Sequence, residues 1–327
     1  MVASGWQPLV SVIVPTYNRE AVLCQTLATL FEQDYPNYEI IVVDQTPQHR
    51  DETYRFLEEN KQKLRHIKVD KPSLPRARNI GLRHARGELV LFLDDDIIPV
   101  RDLVSKHVRG YADDNAVCGV AGQVVPPEGG LVDEGKVGRI DERARLTWNF
   151  NSTVAADTMW GPGGNSSFRR KLVEAAGLYE PAFAGTSVAE ELDLCVRLYR
   201  LGYHMKFEPG ASILHLAVSD GGCENRHIGA WWYYWYAHNM ALLALRHRSL
   251  LNMLLVPPTQ ARALIRMKGG LRGLPLLAIW LPAQFHALVS YFRSRSSLKG
   301  IPSGVRSRGR EKRPLQASKS ERPNSDK

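Results

Sequence analysis

Three short apolar runs, each stopped by polar residues, restrict the folds open to this chain more than anything else in its sequence. They are Val10-Ser-Val-Ile-Val14, Ile40-Ile-Val-Val43 and Leu89-Val-Leu-Phe-Leu93. Runs this short and this rich in β-branched and bulky residues read as buried strands. The segments between them change period. Leu23, Leu27, Leu30 and Phe31 recur at helical spacing, with Asn18 placed to cap that helix. Arg76–Arg86 reads as a second helix, closed by Gly87. Strands alternating with helices imply an α/β fold: a mostly parallel sheet with helices on both faces. Each run also ends in reactive side chains. Pro15-Thr16-Tyr17-Asn18 follows the first, Asp44 the second and Asp94-Asp95-Asp96 the third. Open α/β sheets bind ligands outside the carboxyl ends of their strands, so three such ends predict one site.

Farther along, Ala116–Val125 is expected to be a strand and residues 128–149 a long excursion loop. Trp160-Gly-Pro-Gly-Gly-Asn165 reads as a turn-rich loop. Glu190–Leu201 is a helix candidate stopped by Gly202, and Tyr203–Phe207 and Ser212–Leu216 look like two short strands. Composition then shifts. Trp231 to Tyr236 are consecutive aromatics, of which Trp231 and Trp235 share a helix face near His238 and Asn239. Leu250–Val256 and Leu274–Phe292 are largely apolar, but Pro275, Pro282, Gln284 and His286 interrupt the longer stretch. A spanning helix needs about 20 apolar residues. These segments therefore read as helices that lie in a membrane interface or pack on the core. The expected organisation is a catalytic α/β domain over 1–220, an aromatic and apolar helical extension over 221–292, and a basic disordered tail over 293–327.

The charge is uneven. Residues 293–327 hold eleven Lys/Arg against three Asp/Glu, a net +8, so the remaining body carries only +1 of the total +9. That argues against a nucleic-acid-binding body and gives the tail an anionic surface, or solvent alone, to meet. Residues 230–327 together are the expected membrane-facing part. The four cysteines lie far apart with no C-x-x-C pair, which argues against a zinc ribbon or a disulfide scaffold and suits a reducing cytoplasm. The first eight residues show no basic start followed by an apolar run, so no secretory leader is expected. The expected location is cytoplasmic, at the inner face of the plasma membrane where lipid is met.

Asp94-Asp95-Asp96 carries the most chemical information. Adjacent carboxylates repel, and a cation or solvent must answer them. Alternate residues Asp94 and Asp96 can face one side, and hard oxygen ligands suit Mg²⁺ or Mn²⁺ with phosphates completing the shell. A solvated loop with Asp96 capping a helix is the plainer alternative.

At this point the chain resembles the bacterial family 2 glycosyltransferases of the GT-A fold, which invert the anomeric centre of a nucleotide-diphosphate sugar. Ser11-Val-Ile-Val-Pro-Thr-Tyr-Asn18 resembles the opening strand and nucleotide loop, and Asp44 stands where the family places a base-recognising aspartate. Ala77-Arg78-Asn79-Ile80-Gly81 resembles a helix start, and Leu93-Asp-Asp-Asp96 the D-x-D metal motif. Gly164-Asn165 with Phe168-Arg169-Arg170 resembles the segment before the acceptor helix. Glu190-Glu191-Leu192-Asp193-Leu194 with Arg197-Leu198 resembles the motif that holds the base, and His215 a late histidine near the metal.

The resemblance implies roles. Pro15, Thr16, Tyr17, Asn18, Asp44, Arg78, Asp94 and Asp95 would hold the nucleotide diphosphate; Asp94, Asp96 and His215 would hold Mn²⁺ or Mg²⁺. Trp160 as a stacking platform, Gly163, Gly164 and Asn165 would meet the sugars. Glu191 would take the acceptor proton. The family has Asp there, so Glu190 remains open for the role. UDP is the first expected donor nucleotide, with dTDP and GDP behind it. The acceptor would be a glycan or lipid-linked hydroxyl, as in cell-envelope polysaccharide synthesis. No Q-x-x-R-W motif of the processive synthases is present. Two other functions stay in view: a sugar nucleotidyltransferase and a nucleotide-binding, membrane-associated scaffold without activity.

Overall fold

The computed structural model describes residues 5–112, 114–140, 146–222, 229–247 and 277–298. The first half runs β1 (Val10–Thr16), α1 (Ala21–Leu30), β2 (Tyr38–Asp44), α2 (Asp51–Glu59), β3 (Leu64–Lys68), α3 (Leu74–His84), β4 (Leu89–Leu93), β5 (Ile97–Pro99), α4 (Leu103–Arg109) and β6 (Val117–Val125). The second half adds β7 (Arg139–Ile140), β8 (Leu146–Thr147), β9 (Ala156–Thr158), β10 (Asn165–Arg169), α5 (Arg170–Ala175), α6 (Glu190–Arg200), β11 (His204–His215), α7 (Ala230–His247) and α8 (Leu277–Ser294).

The three apolar runs become β1, β2 and β4, buried at nearly every position. Alternate residues serve opposite faces. Val12 and Val14 join Leu23, Leu27 and Leu30 of α1 on one side, while Ile13 faces Ala77 and Leu82 of α3 on the other. Each of those α1 leucines is fully buried, worth roughly 1.5–3 kcal/mol. Helices α1, α2 and α4 thus cover one face of the sheet, and α3, α5 and α6 the other.

The sheet order is β3-β2-β1-β4-β10-β6-β11-β5, with β9 beside β11. β1, β2, β3 and β4 are mutually parallel, and β6 is parallel to β11. β10 runs antiparallel between β4 and β6. That reversal matters for the site. Thr16 pairs with Asp44, and Asn165 at the start of β10 pairs with Leu93 at the end of β4. Three carboxyl ends and the entry to β10 therefore meet along one edge.

Some local expectations change. Asn18 does not cap α1. It turns the chain at φ 53°, its N–H donates to Thr46 Oγ1 at 2.8 Å, and Glu20 takes the capping position. α3 ends at His84 rather than at Gly87. Gly87 serves a crossing instead: a Cβ there would meet backbone atoms of Leu9, Ser11 and Leu89 within 2.7 Å. The two short strands expected over 203–216 are one strand, β11, with register shifts against β6. The excursion over 128–149 holds the small β7–β8 pair. The stop of α6 is as expected, with Gly202 at φ 94°.

The extension packs on the body. α7 meets α6, and α8 lies along α7 through Tyr234 to His286 (2.9 Å) and His238 to Ser290 (3.0 Å). Among the described residues, no helix is long and apolar enough to cross a membrane. Leu250–Val256, the start of the 274–292 stretch and the tail from 299 onward lie outside the described residues.

Candidate active site

The edge where β1, β4 and β11 end and β10 begins borders a cleft of about 320 Å³. Its floor is the acid triplet. His215 ends β11, and its Nε2 lies 3.3 Å from Asp96 Oδ1 and 3.8 Å from Asp94 Oδ2. Asp94, Asp96 and His215 each bring one ligand atom to within 4.8 Å of the others. Two carboxylate oxygens and an imidazole nitrogen at that spacing fit a divalent cation such as Mn²⁺ or Mg²⁺.

The middle carboxylate points elsewhere. Asp95 is buried against Arg19, whose Nε lies 3.3 Å from Asp95 Oδ1 and whose Nη2 lies 3.1 Å from Asp96 Oδ2. Burial pushes Asp95 up to about 7 in spite of Arg19, and its acidic neighbours add to the rise. Burial would raise Asp96 too, but the His215 hydrogen bond and the charges of His215 and Arg19 outweigh it and hold the carboxyl below its usual range. Arg19 also donates to the carbonyls of Val218 (3.1 Å) and Asp220. Leu216 N–H bonds Asp96 O at 2.8 Å and Gly222 N–H bonds Tyr17 O at 2.7 Å. The segment after β11 is thereby strapped across the triplet and the β1 loop.

Opposite wall residues come from α3, the 160–164 loop and α6. Arg78 is buried between the Phe92 and Tyr179 rings, donates to Gly163 O at 2.9 Å and ion-pairs with the buried Glu190. A Cβ on Gly163 would strike the Arg78 guanidinium, and one on Gly164 would fall on the Asp94 carboxylate. Both positions therefore need glycine for close approach, not for turn geometry. Glu191, half-buried at the first turn of α6, also lines the cleft. The loop before it holds Ser187 (φ 55°) and Ala189 (φ 72°) in the left-handed region, a strain of about 1–2 kcal/mol each.

Of the residues singled out in the sequence, the structure brings Pro15, Thr16, Tyr17, Arg78, Asp94, Asp95, Asp96, Gly163, Gly164, Glu190, Glu191 and His215 to this cleft. Four are placed elsewhere. Asp44 is fully buried beneath it: Oδ1 accepts from Thr46 N–H (2.8 Å), and Oδ2 meets His49 (3.0 Å), His66 (3.0 Å) and Lys68 (3.1 Å). Burial opposes its ionisation, yet the His49 and His66 hydrogen bonds hold the carboxyl far below its usual value. Asn165 is buried inside the sheet, its amide bonding Gln123 O and Ala211 O at 2.9 Å and its Oδ1 facing His107 at 2.9 Å. Trp160 is a core residue, 1% exposed, rather than a stacking platform. Asn18 lines an adjoining pocket of about 390 Å³ that shares Tyr17, Leu74, Ser187 and Gly222 with the cleft.

Among the cleft residues not foreseen, Trp148 and Arg19 stand out. Trp148 lines the cleft, 51% exposed, and packs edge-on against Trp160 at 4.6 Å. A single tryptophan in an irregular segment gives no sequence signal of which face it shows. Arg19 had one available signal: a cation next to the Thr-Tyr-Asn turn of a chain with a triple acid.

The fold and the cleft together define a GT-A-type α/β protein. The model of Glycosyl transferase family 2 matches residues 11–175, half of the chain, and the chain belongs to that family. The Bacillus subtilis protein named Probable glycosyltransferase YdaM is 29% identical over 227 residues, covering 62% of this chain and 50% of the relative. Poly(ribitol-phosphate) beta-N-acetylglucosaminyltransferase TarS of Staphylococcus aureus is 40% identical over 95 residues, 26% of this chain and 16% of the relative. The chain thus spans half or less of these curated relatives. Among solved structures, a mannosyltransferase from Pyrobaculum calidifontis in complex with GDP-Man and Mn²⁺ aligns over 90% of this chain and 89% of its own, at TM-score 0.54 and 22% identity. TarS residues 1–349 in complex with UDP-GlcNAc align over 86% and 81%, at TM-score 0.58 and 18% identity. At these identities the structural likeness speaks for the fold.

Proposed function

We propose that this protein is a metal-dependent, inverting glycosyltransferase that moves one sugar from a nucleoside-diphosphate sugar to a hydroxyl of a glycan or lipid-linked acceptor. The observation that carries the reading is that Asp94, Asp96 and His215 share one cleft with Glu191. Asp94, Asp96 and His215 would hold Mn²⁺ or Mg²⁺, which when bound neutralises charge on a diphosphate leaving group.

The chain's own residues do the rest. Gly163 and Gly164 let the 160–164 loop close onto Arg78 and Asp94 at the side of the cleft where the donor would lie. Arg19 keeps Asp96 turned toward His215 and Asp95 turned away, so the two outer carboxylates face the same ligand. Glu191 accepts the acceptor hydroxyl proton as the new carbon–oxygen bond forms. The bond to the diphosphate oxygen breaks and its electron pair leaves with the diphosphate. Glu190 is committed to Arg78, which steadies the Gly163 carbonyl, and so leaves Glu191 as the base. Trp148 offers an exposed ring face for a sugar in place of Trp160.

The test is a thermal-shift panel of UDP, dTDP, GDP and CMP with and without Mn²⁺, on wild type and Asp94→Asn. Asp94 is chosen because Asp96 also holds Arg19. Ligand at about 100 times its Kd stabilises by about 2.7 kcal/mol. A shift with one diphosphate that needs both Mn²⁺ and Asp94 supports the reading, and UDP is tried first. No shift with any nucleotide, and no nucleotide released from any activated sugar, sinks it.

A further inference from the structure

The face of α8 turned away from α7 is apolar and uncovered. Leu281, Phe285 and Phe292 are 66%, 70% and 56% exposed, and Leu288 between them is half-buried. Their spacing of four, three and four residues places them in one stripe. Isolated exposed apolar residues need no explanation; three large ones aligned with a half-buried fourth do. The opposite face is fixed to the protein. Ala283 and Ala287 are fully buried, Ser290 meets His238 at 3.0 Å, and Ser294 meets Arg246 at 3.2 Å.

What covers the stripe is indicated by charge. α8 has no acidic residue, its apolar stripe runs directly into Arg293, and the exposed Arg295 follows. From Arg293 to the last residue the sequence carries a net +8. An apolar stripe that continues into a cationic segment matches a surface whose interior is hydrocarbon and whose boundary is negative. Since no described helix is suited to cross a membrane, the stripe would lie along the surface, sunk by about 5–10 Å.

We propose that α8 is the membrane-contact element of this protein, seating Leu281, Phe285, Leu288 and Phe292 in the interface of an anionic lipid bilayer, with Arg293 and Arg295 at its headgroups. α8 grips α7, and Arg246 of α7 bonds Asp193 of α6 at 2.7 Å. A lipid-seated α8 therefore sits one helix away from the element that carries Glu191. The proposal is read without donor, acceptor or metal, so it stands or falls separately from the transferase reading.

The experiment is co-sedimentation of the full chain with vesicles of phosphatidylcholine containing about one third phosphatidylglycerol, and with pure phosphatidylcholine. Binding should be at least about tenfold stronger to the anionic vesicles. Raising salt from about 0.1 M to about 1 M, which shortens the screening length from about 10 Å to about 3 Å, should weaken it. Leu281→Ser/Phe285→Ser/Phe292→Ser should lower the partition coefficient about 100-fold while leaving Tm unchanged, because the replaced side chains face solvent. Arg293→Gln/Arg295→Gln should lower it severalfold. Three outcomes overturn the proposal: no binding to either vesicle, undiminished binding of the triple-serine variant, or a concentration-dependent dimer that this variant abolishes, which would make the stripe a protein interface.

Discussion

Two acidic clusters in the molecule are built on opposite terms. At the sheet edge, three adjacent carboxylates share the Arg19 guanidinium and the His215 imidazole, and the outer two face an open cleft. Behind α6, Asp193 is fully buried among Arg197 (2.8 Å), Arg246 (2.7 Å) and His247 (2.7 Å), with Glu180 on Arg246 at 3.2 Å. Burial alone would raise Asp193, but Arg197, His247 and Arg246 hold its carboxyl well below the usual range. Acids in excess of their cations ask for a ligand. Acids matched by cations and sealed from water hold helices together. Both clusters look alike in sequence, as short acidic motifs at the start of a loop or a helix.

Exchanging one residue in each cluster should separate the two. Asp94→Asn should cut nucleotide-diphosphate release by about 10⁴-fold, roughly 5 kcal/mol, with Tm little changed. An active Asp94→Asn enzyme would break the comparison on the catalytic side. Asp193→Ala should instead cost about 3–5 kcal/mol of stability in denaturant unfolding, because Arg197 and Arg246 are left buried without their acid. The pH dependence sharpens this. A depressed carboxyl contributes stability above its unfolded value near about 3.9, and loses it as pH falls from there toward the folded value. The stability gap between wild type and Asp193→Ala should therefore be full at neutral pH and shrink below about pH 4; a gap that grows on acidification would contradict the assignment. On the same helix but facing the cleft, Glu191→Gln should lower kcat by about 10²–10³-fold with donor-induced thermal shifts intact. The smallest effect is expected at the rim: Trp148→Ala should raise a sugar-substrate KM about tenfold with kcat nearly kept, and an unchanged KM would return that ring to a packing role.

β1, β2 and β4 were legible because they are apolar almost throughout, whereas β3 (Leu-Arg-His-Ile-Lys) and β10 (Asn-Ser-Ser-Phe-Arg) carry polar side chains and gave no strand signal. Val12, Ile13, Ile41 and Phe92 leave only one arrangement that covers both faces. Asp94 and Asp96 stood out as alternate acids after an apolar strand, whereas His215 and Glu191 stood out only through the family resemblance; all four line the cleft. What could not be read was which way a side chain turns once the backbone is placed. Asp44 stands at a strand end just as Asp94 does, yet His49, His66 and Lys68 close over it. Trp148 and Trp160 are twelve residues apart in irregular chain, and only their edge-on packing shows that one is core and the other surface. Asn165 follows two glycines like a loop residue, but the antiparallel entry of β10 draws it into the sheet. These are tertiary facts about partners far away in sequence.

The strap after β11 sets a time order for building the site. Arg19 finds its carbonyl partners about two hundred residues downstream, at Val218 and Asp220, and Asp96 waits for His215. The span matched by the family model ends at residue 175, before α6 and β11 are made. A chain emerging from the ribosome can pair β1 to β4 early from near neighbours, but the edge that borders the cleft closes only when residue 222 has been added. Long loops close at a modest entropic penalty, so the delay is one of synthesis rather than of stability. Until then the acid triplet lacks both His215 and the strap, so the cleft takes shape only after most of the sheet has been made, and α7 and α8 are added to it later still.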